Sequence, residues 1–449
     1  MTERAKSGAR AIVPGAPDAT RSGRAGSAGA LEIEVVTIGD ELLLGYTVDT
    51  NAAYLARSLA AAGVTIARRA TCGDDADDIA AAVRDALDRT GAVITTGGLG
   101  PTADDRTKAS IAALFGRAMV LDEAHLEWMR ERWRTVFQRT MPESNVAQAM
   151  LPAGARKLRN NHGSAPGVLL EDERGRWVAM LPGVPREMRG MTDDTIVPML
   201  RERLAAAGGT PPVVLSRTLR TTGIGESALA DLLGPLQKAV DGMPLAFLPG
   251  PDGTDLRLTS RGLDEQAARA ALDAAAAKLR AVAGPYVYGE EATDLAAVVL
   301  DLCRAQALRL AVAESCTGGM LGARLTAIAG SSDVVTGGVI AYANAVKERL
   351  LGVADAVLRE HGAVSEPVVR RMATGAREAA GADVGIAITG VAGPGGGTPE
   401  KPVGSVWLAA DVAGRVESRR VQLIGDREEI RRRATQGALE MVRRALLAR

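Results

Sequence analysis

Four short stretches in the last third of the chain carry hydroxyls, a phenol and a lysine at spacings that could support nucleophilic chemistry. "AESCTGG", residues 313–319, sets Ser315 and Cys316 side by side after an apolar run and before Gly318 and Gly319. "AGSSDVV" places Ser331 and Ser332 just ahead of the next apolar segment, which Tyr342 closes, and Lys347 follows five residues on. "AITGVAGPGGG" contributes Thr389 and Gly390, and "IGDREEI" contributes Arg427. A serine hydroxyl needs a base to attack an amide, and a lysine serves if burial keeps it neutral. Ser-Lys variants of the hydrolytic triad are established chemistry. Backbone N–H groups at a helix start can hold an oxyanion, and an arginine can hold a phosphate through two parallel hydrogen bonds. Each residue also has a plainer role: Ser315 as a helix cap, Tyr342 as packing, Cys316 as a small core residue without a histidine partner.

A second set lies near the start of the chain. "TTGGLGPTADDRT", residues 95–107, follows an apolar strand and opens a helix, with Gly97, Gly98, Gly100 and Thr102 ahead of Asp104 and Asp105. Glycines allow close backbone approach, and a helix start attracts phosphate. Carboxylates beside a phosphate site suggest a hard divalent metal. "GDELLLGYTVDTN" adds Asp40, Glu41, Asp49 and Asn51 at the end of another strand. The pattern is neither GxxxxGK[ST] nor GxGxxG. It favours a phosphorylated ligand without naming one.

These residues need elements to position them. At 449 residues, two or three domains are expected. Buried strands alternate with amphipathic helices over 31–200, then a small α+β module spans 201–290, and a further α/β unit occupies 291–449. The fold class is therefore α/β: two doubly wound domains joined by the module. Strands are expected at 32–38, in "AVITT", "LRLAVAE", "GGVIAYA", "DVGIAIT" and "GSVWLAADV", with "GRVESRRVQL" antiparallel to the last across Ala413 and Gly414. Helices are expected near 76–88, 104–115, 122–139 and 426–447.

Composition narrows the function classes. With 54 basic and 54 acidic residues, nothing calls for a nucleic-acid partner. Cys72, Cys303 and Cys316 are too scattered for a disulfide framework or zinc cluster, and His125, His162 and His361 form no metal motif. There is no apolar run of membrane-spanning length. Residues 1–30 are small, polar and Arg-bearing, read as a disordered tail rather than a secretory signal. A cytoplasmic protein is expected.

The ordered motifs resemble the CinA family (competence/damage-inducible protein A) over nearly all of residues 32–449. "TIGDELLLGYTVDTN", "TTGGLGPTADDRT", "NNHGSAPGV" and "LPGVPREM" resemble its molybdopterin-binding-like domain. "AESCTGG", "AGSSDVV", "HGAVSEPVV", "AITGVAGPGGG" and "KPVGSVW" resemble its nicotinamide-nucleotide amidase domain. The resemblance implies deamidation of nicotinamide mononucleotide to nicotinate mononucleotide and ammonia by a Ser/Lys pair with no cofactor. The matching positions are Ser315, Ser332, Tyr342, Lys347, Thr389 and Arg427. Ala343 replaces a serine found in many relatives. For the first domain the resemblance implies a metal-dependent ADP-ribose pyrophosphatase in some members, and relatives suggest a homodimer. Alternatives are a competence-linked regulatory or scaffold protein, and a molybdopterin-binding protein. Two serines compete as nucleophile. If Thr317, Gly318 and Gly319 cradle the substrate phosphate, Ser332 attacks; if "GSS" and Arg427 hold it, Ser315 attacks. The reading favours Ser332, with Ser315 as a binding or relay group and Lys347 as the shared base.

Overall fold

Runs of apolar residues become central strands wherever both faces of a sheet are covered. Ala92–Thr96 and Trp177–Leu181 are buried at every position. The computed structural model describes residues 31–208 and 212–449, so the tail expected at 1–30 lies outside the described residues. The chain divides into two units, 1–211 and 212–449.

In the first unit a six-stranded sheet runs, in spatial order, Thr65–Cys72, Glu32–Ile38, Ala92–Thr96, Trp177–Leu181, Gly167–Glu171, Arg156–Leu158. The first four are parallel and the last two antiparallel. Alternating side chains of the strand Glu32–Ile38 enter two cores. Ile33 and Val35 pack with Leu55, Leu59 and Met188, whereas Val36 and Ile38 pack with Ile79, Val83 and Ile111. Asp75 caps the helix Ala76–Thr90 and Gly91, at φ 70°, ends it.

The second unit holds two sheets. Val213–Thr221, Met243–Gly250, Gly253–Leu263 and two short strands form an antiparallel sheet covered by the helix Glu265–Ala283. The other sheet runs Val335–Ile340, Leu310–Glu314, Val384–Gly390, Ser405–Val412, Arg415–Gln422. Its first three strands are parallel and the last two antiparallel. The hairpin across Ala413 and Gly414 has φ 51° and 91°, the conformation a two-residue turn requires. Helices Leu295–Ala305 and Arg427–Leu447 cover one face, and Glu366–Ala379 the other. The abundance of alanine and glycine has a packing reason there. A Cβ on Gly385 would lie 2.0 Å from the carbonyl of Ala373, so the helix sits directly on the strand backbone.

The α/β class and the expected strands are present. The helix expected at 104–115 is shorter, Thr107–Leu114, because Asp104 and Asp105 belong to the preceding loop. The helix expected at 122–139 stops at Thr135. Among the described residues, no helix is long and apolar enough to cross a membrane.

Candidate active site

In the 310–314 sheet the parallel strands deliver their following residues to one edge. Ser315 follows Leu310–Glu314, Tyr342 lies two residues beyond Val335–Ile340, and Thr389 sits near the end of Val384–Gly390. This is the edge where ligands bind in open α/β sheets.

Lys347 reaches the same edge from the first turn of the helix Asn344–Leu351 and is 1% exposed. Its Nζ lies 3.2 Å from Ser315 Oγ, 2.6 Å from the Ala341 carbonyl and 3.3 Å from the Tyr342 carbonyl. Among the described residues no carboxylate lies within ion-pair distance of it. Burial therefore lowers its pKa from the ordinary lysine value. A neutral amine has two N–H donors and one lone pair. As an ammonium, Nζ donates to all three oxygens; as a neutral amine, its two donors go to the carbonyls and the lone pair is left for the serine hydroxyl.

Glu314, buried directly before the serine, shapes the loop. Its carboxylate accepts from the backbone N–H groups of Gly319 (3.0 Å), Leu321 (3.1 Å) and Gly322 (2.8 Å). Gly318 and Gly319 adopt φ 59° and 96°, where a side chain would be strained. Arg431 of the C-terminal helix donates to the Thr317 carbonyl at 2.7 Å. The N–H of Thr317 has no partner among the described residues, and the Thr317 hydroxyl is buried without one. Arg427 donates to the Tyr342 hydroxyl at 3.1 Å and the Gly393 carbonyl at 2.5 Å, with no carboxylate on it. Cys316 is buried, which pushes its thiol up to about 11 and makes it a poor nucleophile.

Several expectations need correction. Ser332 precedes its strand, whereas Ser315 follows its own. The register pairs Leu310 with Val335 and Glu314 with Ile340, so the two serines sit at opposite edges of the sheet. Five residues of strand separate them, roughly 16 Å at about 3.3 Å per residue. Ser332 cannot share Lys347 with Ser315 within one chain. The helix start after Gly319 is not an open phosphate cradle either, because Glu314 occupies its donors. The Thr389 hydroxyl donates to the Ala363 carbonyl at 2.8 Å, and Gly390 is small because Val406 and the Ser405 carbonyl crowd it. Glu314 and Arg431 were missed. The acid adjoining the serine was the only sequence signal for the first.

The first domain has its own cleft at the carboxyl ends of its parallel strands, about 390 Å³ in volume. Gly97, Gly98, Glu41, Asp49, Asp104 and Asp105 line it, together with Asp74 and Asn51. Asp40 does not line it; its carboxylate faces the Asp74 N–H at 3.3 Å. Asp105 accepts from the N–H groups of Gly100 (2.7 Å) and Thr102 (2.8 Å) and from the Thr102 hydroxyl. Thr102 and Gly100 thus shape the loop around Asp105. Asp49 caps the helix Thr50–Ala61 through the Ala52 N–H. The expected metal set fits a divalent cation in charge, with five carboxylates and no basic side chain on the lining. It does not fit in geometry, since among the described residues no three acidic, histidine or cysteine side chains converge as a ligand group. Asn51 Oδ1 is buried here without a partner. Lys108, buried behind Asp105, donates to the Ala147 and Gln148 carbonyls, and burial lowers its pKa to about 8.

Comparisons with known proteins cover the same segments. Residues 34–202 match the probable molybdopterin binding domain, 216–289 the damage-inducible protein CinA KH domain, and 292–446 the CinA C-terminal domain. A CinA-like protein of Gemmatimonas aurantiaca is 64% identical over 415 residues, covering 92% of this chain and 96% of that protein. A putative competence-damage inducible protein of Moorella thermoacetica is 43% identical over 418 residues, covering 93% and 99%. Among solved structures, a competence/damage inducible protein from Agrobacterium tumefaciens is 42% identical, covers 34% of this chain and 93% of its own, and has a TM-score of 0.33.

Proposed function

The chain belongs to the CinA family, and on that premise we propose that its C-terminal domain hydrolyses the carboxamide of nicotinamide mononucleotide, with Ser315 as nucleophile and Lys347 as base. The observation that carries this reading is the 3.2 Å contact between Ser315 Oγ and a lysine buried without a counter-ion. Neutral Lys347 takes the serine proton as Oγ attacks the carboxamide carbon. The N–H of Thr317 is the candidate donor to the oxyanion. The ammonium of Lys347 returns the proton to the leaving nitrogen, and ammonia departs. Water, deprotonated by Lys347, then hydrolyses the acyl-Ser315 ester and releases nicotinate mononucleotide. Arg427, free of carboxylates, is the candidate for the substrate phosphate, beside Tyr342. The substrate rests on the family resemblance, and the Ser/Lys chemistry on the geometry. Ammonia release from nicotinamide mononucleotide by the purified chain is the test. Absence of release at micromolar enzyme would refute the substrate.

A second reading concerns the first domain. Five carboxylates without a basic partner repel a bare pyrophosphate, so an ADP-ribose pyrophosphatase there would need a divalent cation brought with its substrate. ADP-ribose turnover that is equal with and without magnesium, or equal in wild type and Asp104→Ala, would end this reading.

A further inference from the structure

A second cleft in the first domain, about 470 Å³, shares no lining residue with the acidic one. One wall is the helix Glu123–Thr135, through His125, Trp128 and Arg132. The other is the loop after the edge strand Arg156–Leu158, from Arg159 to Pro166, which contains "NNHGSAP".

Its electrostatics are the reverse of the first cleft. Arg132, Lys157 and Arg159 line it, and no carboxylate does. Lys157 is held by Asp122 at 2.6 Å. Arg159 has no side-chain partner among the described residues. Arg132 lies 5.6 Å from the Trp128 ring centroid and has no carboxylate partner there. Arg159 is exposed and Arg132 half-buried, and the cleft thus offers an anion two guanidinium groups that no carboxylate neutralises. Trp128 is 42% exposed, unusual for an indole, and stacks on His125 with ring centroids 5.3 Å apart. The Ser164 hydroxyl and the Asn161 amide add polar groups on the rim.

We propose that this cleft binds a mononucleotide, its base taking the place over the Trp128 ring that the Arg132 guanidinium covers, and its phosphate held by Arg159 and the displaced Arg132. Stacking on an indole needs a flat aromatic, and paired guanidinium contacts need a phosphate. A cleft of this size holds one nucleotide. The site is independent of the serine site and of the acidic cleft.

The test is calorimetric titration of the full chain with AMP, adenosine and inorganic phosphate. AMP should bind, with adenosine and phosphate each at least about tenfold weaker. Arg159→Ala and Trp128→Ala should each weaken AMP about five- to tenfold, while Trp128→Phe retains most of the affinity. Arg159 is exposed and unpartnered, so its replacement should leave folding and nicotinamide mononucleotide deamidation at wild-type levels. If Trp128→Ala fails to fold, Arg159→Ala and Trp128→Phe still decide. No AMP binding, or AMP affinity unchanged in Arg159→Ala, overturns the proposal. Equal affinity for AMP and phosphate overturns the aromatic half of it.

Discussion

Lys347 can act as a base only while neutral, and its surroundings favour that form: burial, two carbonyl acceptors and no carboxylate. The kcat/KM for deamidation should therefore rise with pH as Lys347 loses its proton, and level off below 10.5, the ordinary lysine value. A profile that is flat from pH 5 to 10 would contradict the assignment. Lys347→Arg keeps a charge that cannot be shed and should be inactive. The same residue weakens the fold. Its folded-state pKa lies below its unfolded value, so the unfolded chain binds the extra proton between the two, and stability falls as pH drops through that window. Lys347→Met removes this cost and should unfold at a higher urea concentration than wild type at pH 7 while being inactive. Urea titration with a parallel activity assay checks both.

The loop after Ser315 behaves as an element because Glu314 ties three of its N–H groups. Glu314→Gln replaces one acceptor oxygen by a donor and should cost about 1–3 kcal/mol, read from the urea midpoint, with activity falling as the serine loses its setting. At the start of the helix Thr107–Leu114, Lys108 has a pKa of about 8, below its unfolded value. Stability should rise with pH from about 8 to 10.5 on its account. Thermal melts across that range should show the rise reduced in Lys108→Met; equal pH dependence in both would contradict it. Long elements were legible in the sequence because burial on both faces gives unbroken apolar runs, as in "AVITT" and "LRLAVAE". Three-residue strands such as Arg156–Leu158 leave no periodic signal. Hydroxyls, lysine and arginine at the sheet edge were legible too, but Ser332 was misplaced. Residue type and spacing suggested a partner for Lys347, whereas strand direction decides it: a residue before a parallel strand lies at the opposite edge from a residue after one. The role of Glu314 was invisible because its partners are backbone amides, which every residue carries.

Across the whole molecule, charge is partitioned in a way that net composition hides. A chain with equal numbers of acids and bases carries an acidic cleft of five carboxylates and a basic one with three cations. The proposed serine site draws its nucleophile, base and oxyanion donor from residues 315–347 of the second unit alone. Chelation with EDTA should thus leave ammonia release unchanged and abolish any ADP-ribose cleavage. Loss of both activities would show that the amidase chemistry depends on a metal. The central claim is that Ser315, and not Ser332, is activated by Lys347. The most direct measurement is the rate of ammonia release from nicotinamide mononucleotide by Ser315→Ala and Ser332→Ala, each compared with wild type. Ser315→Ala should lose roughly a thousandfold or more, and Ser332→Ala should stay within a few-fold of wild type. Near-normal turnover by Ser315→Ala would contradict it.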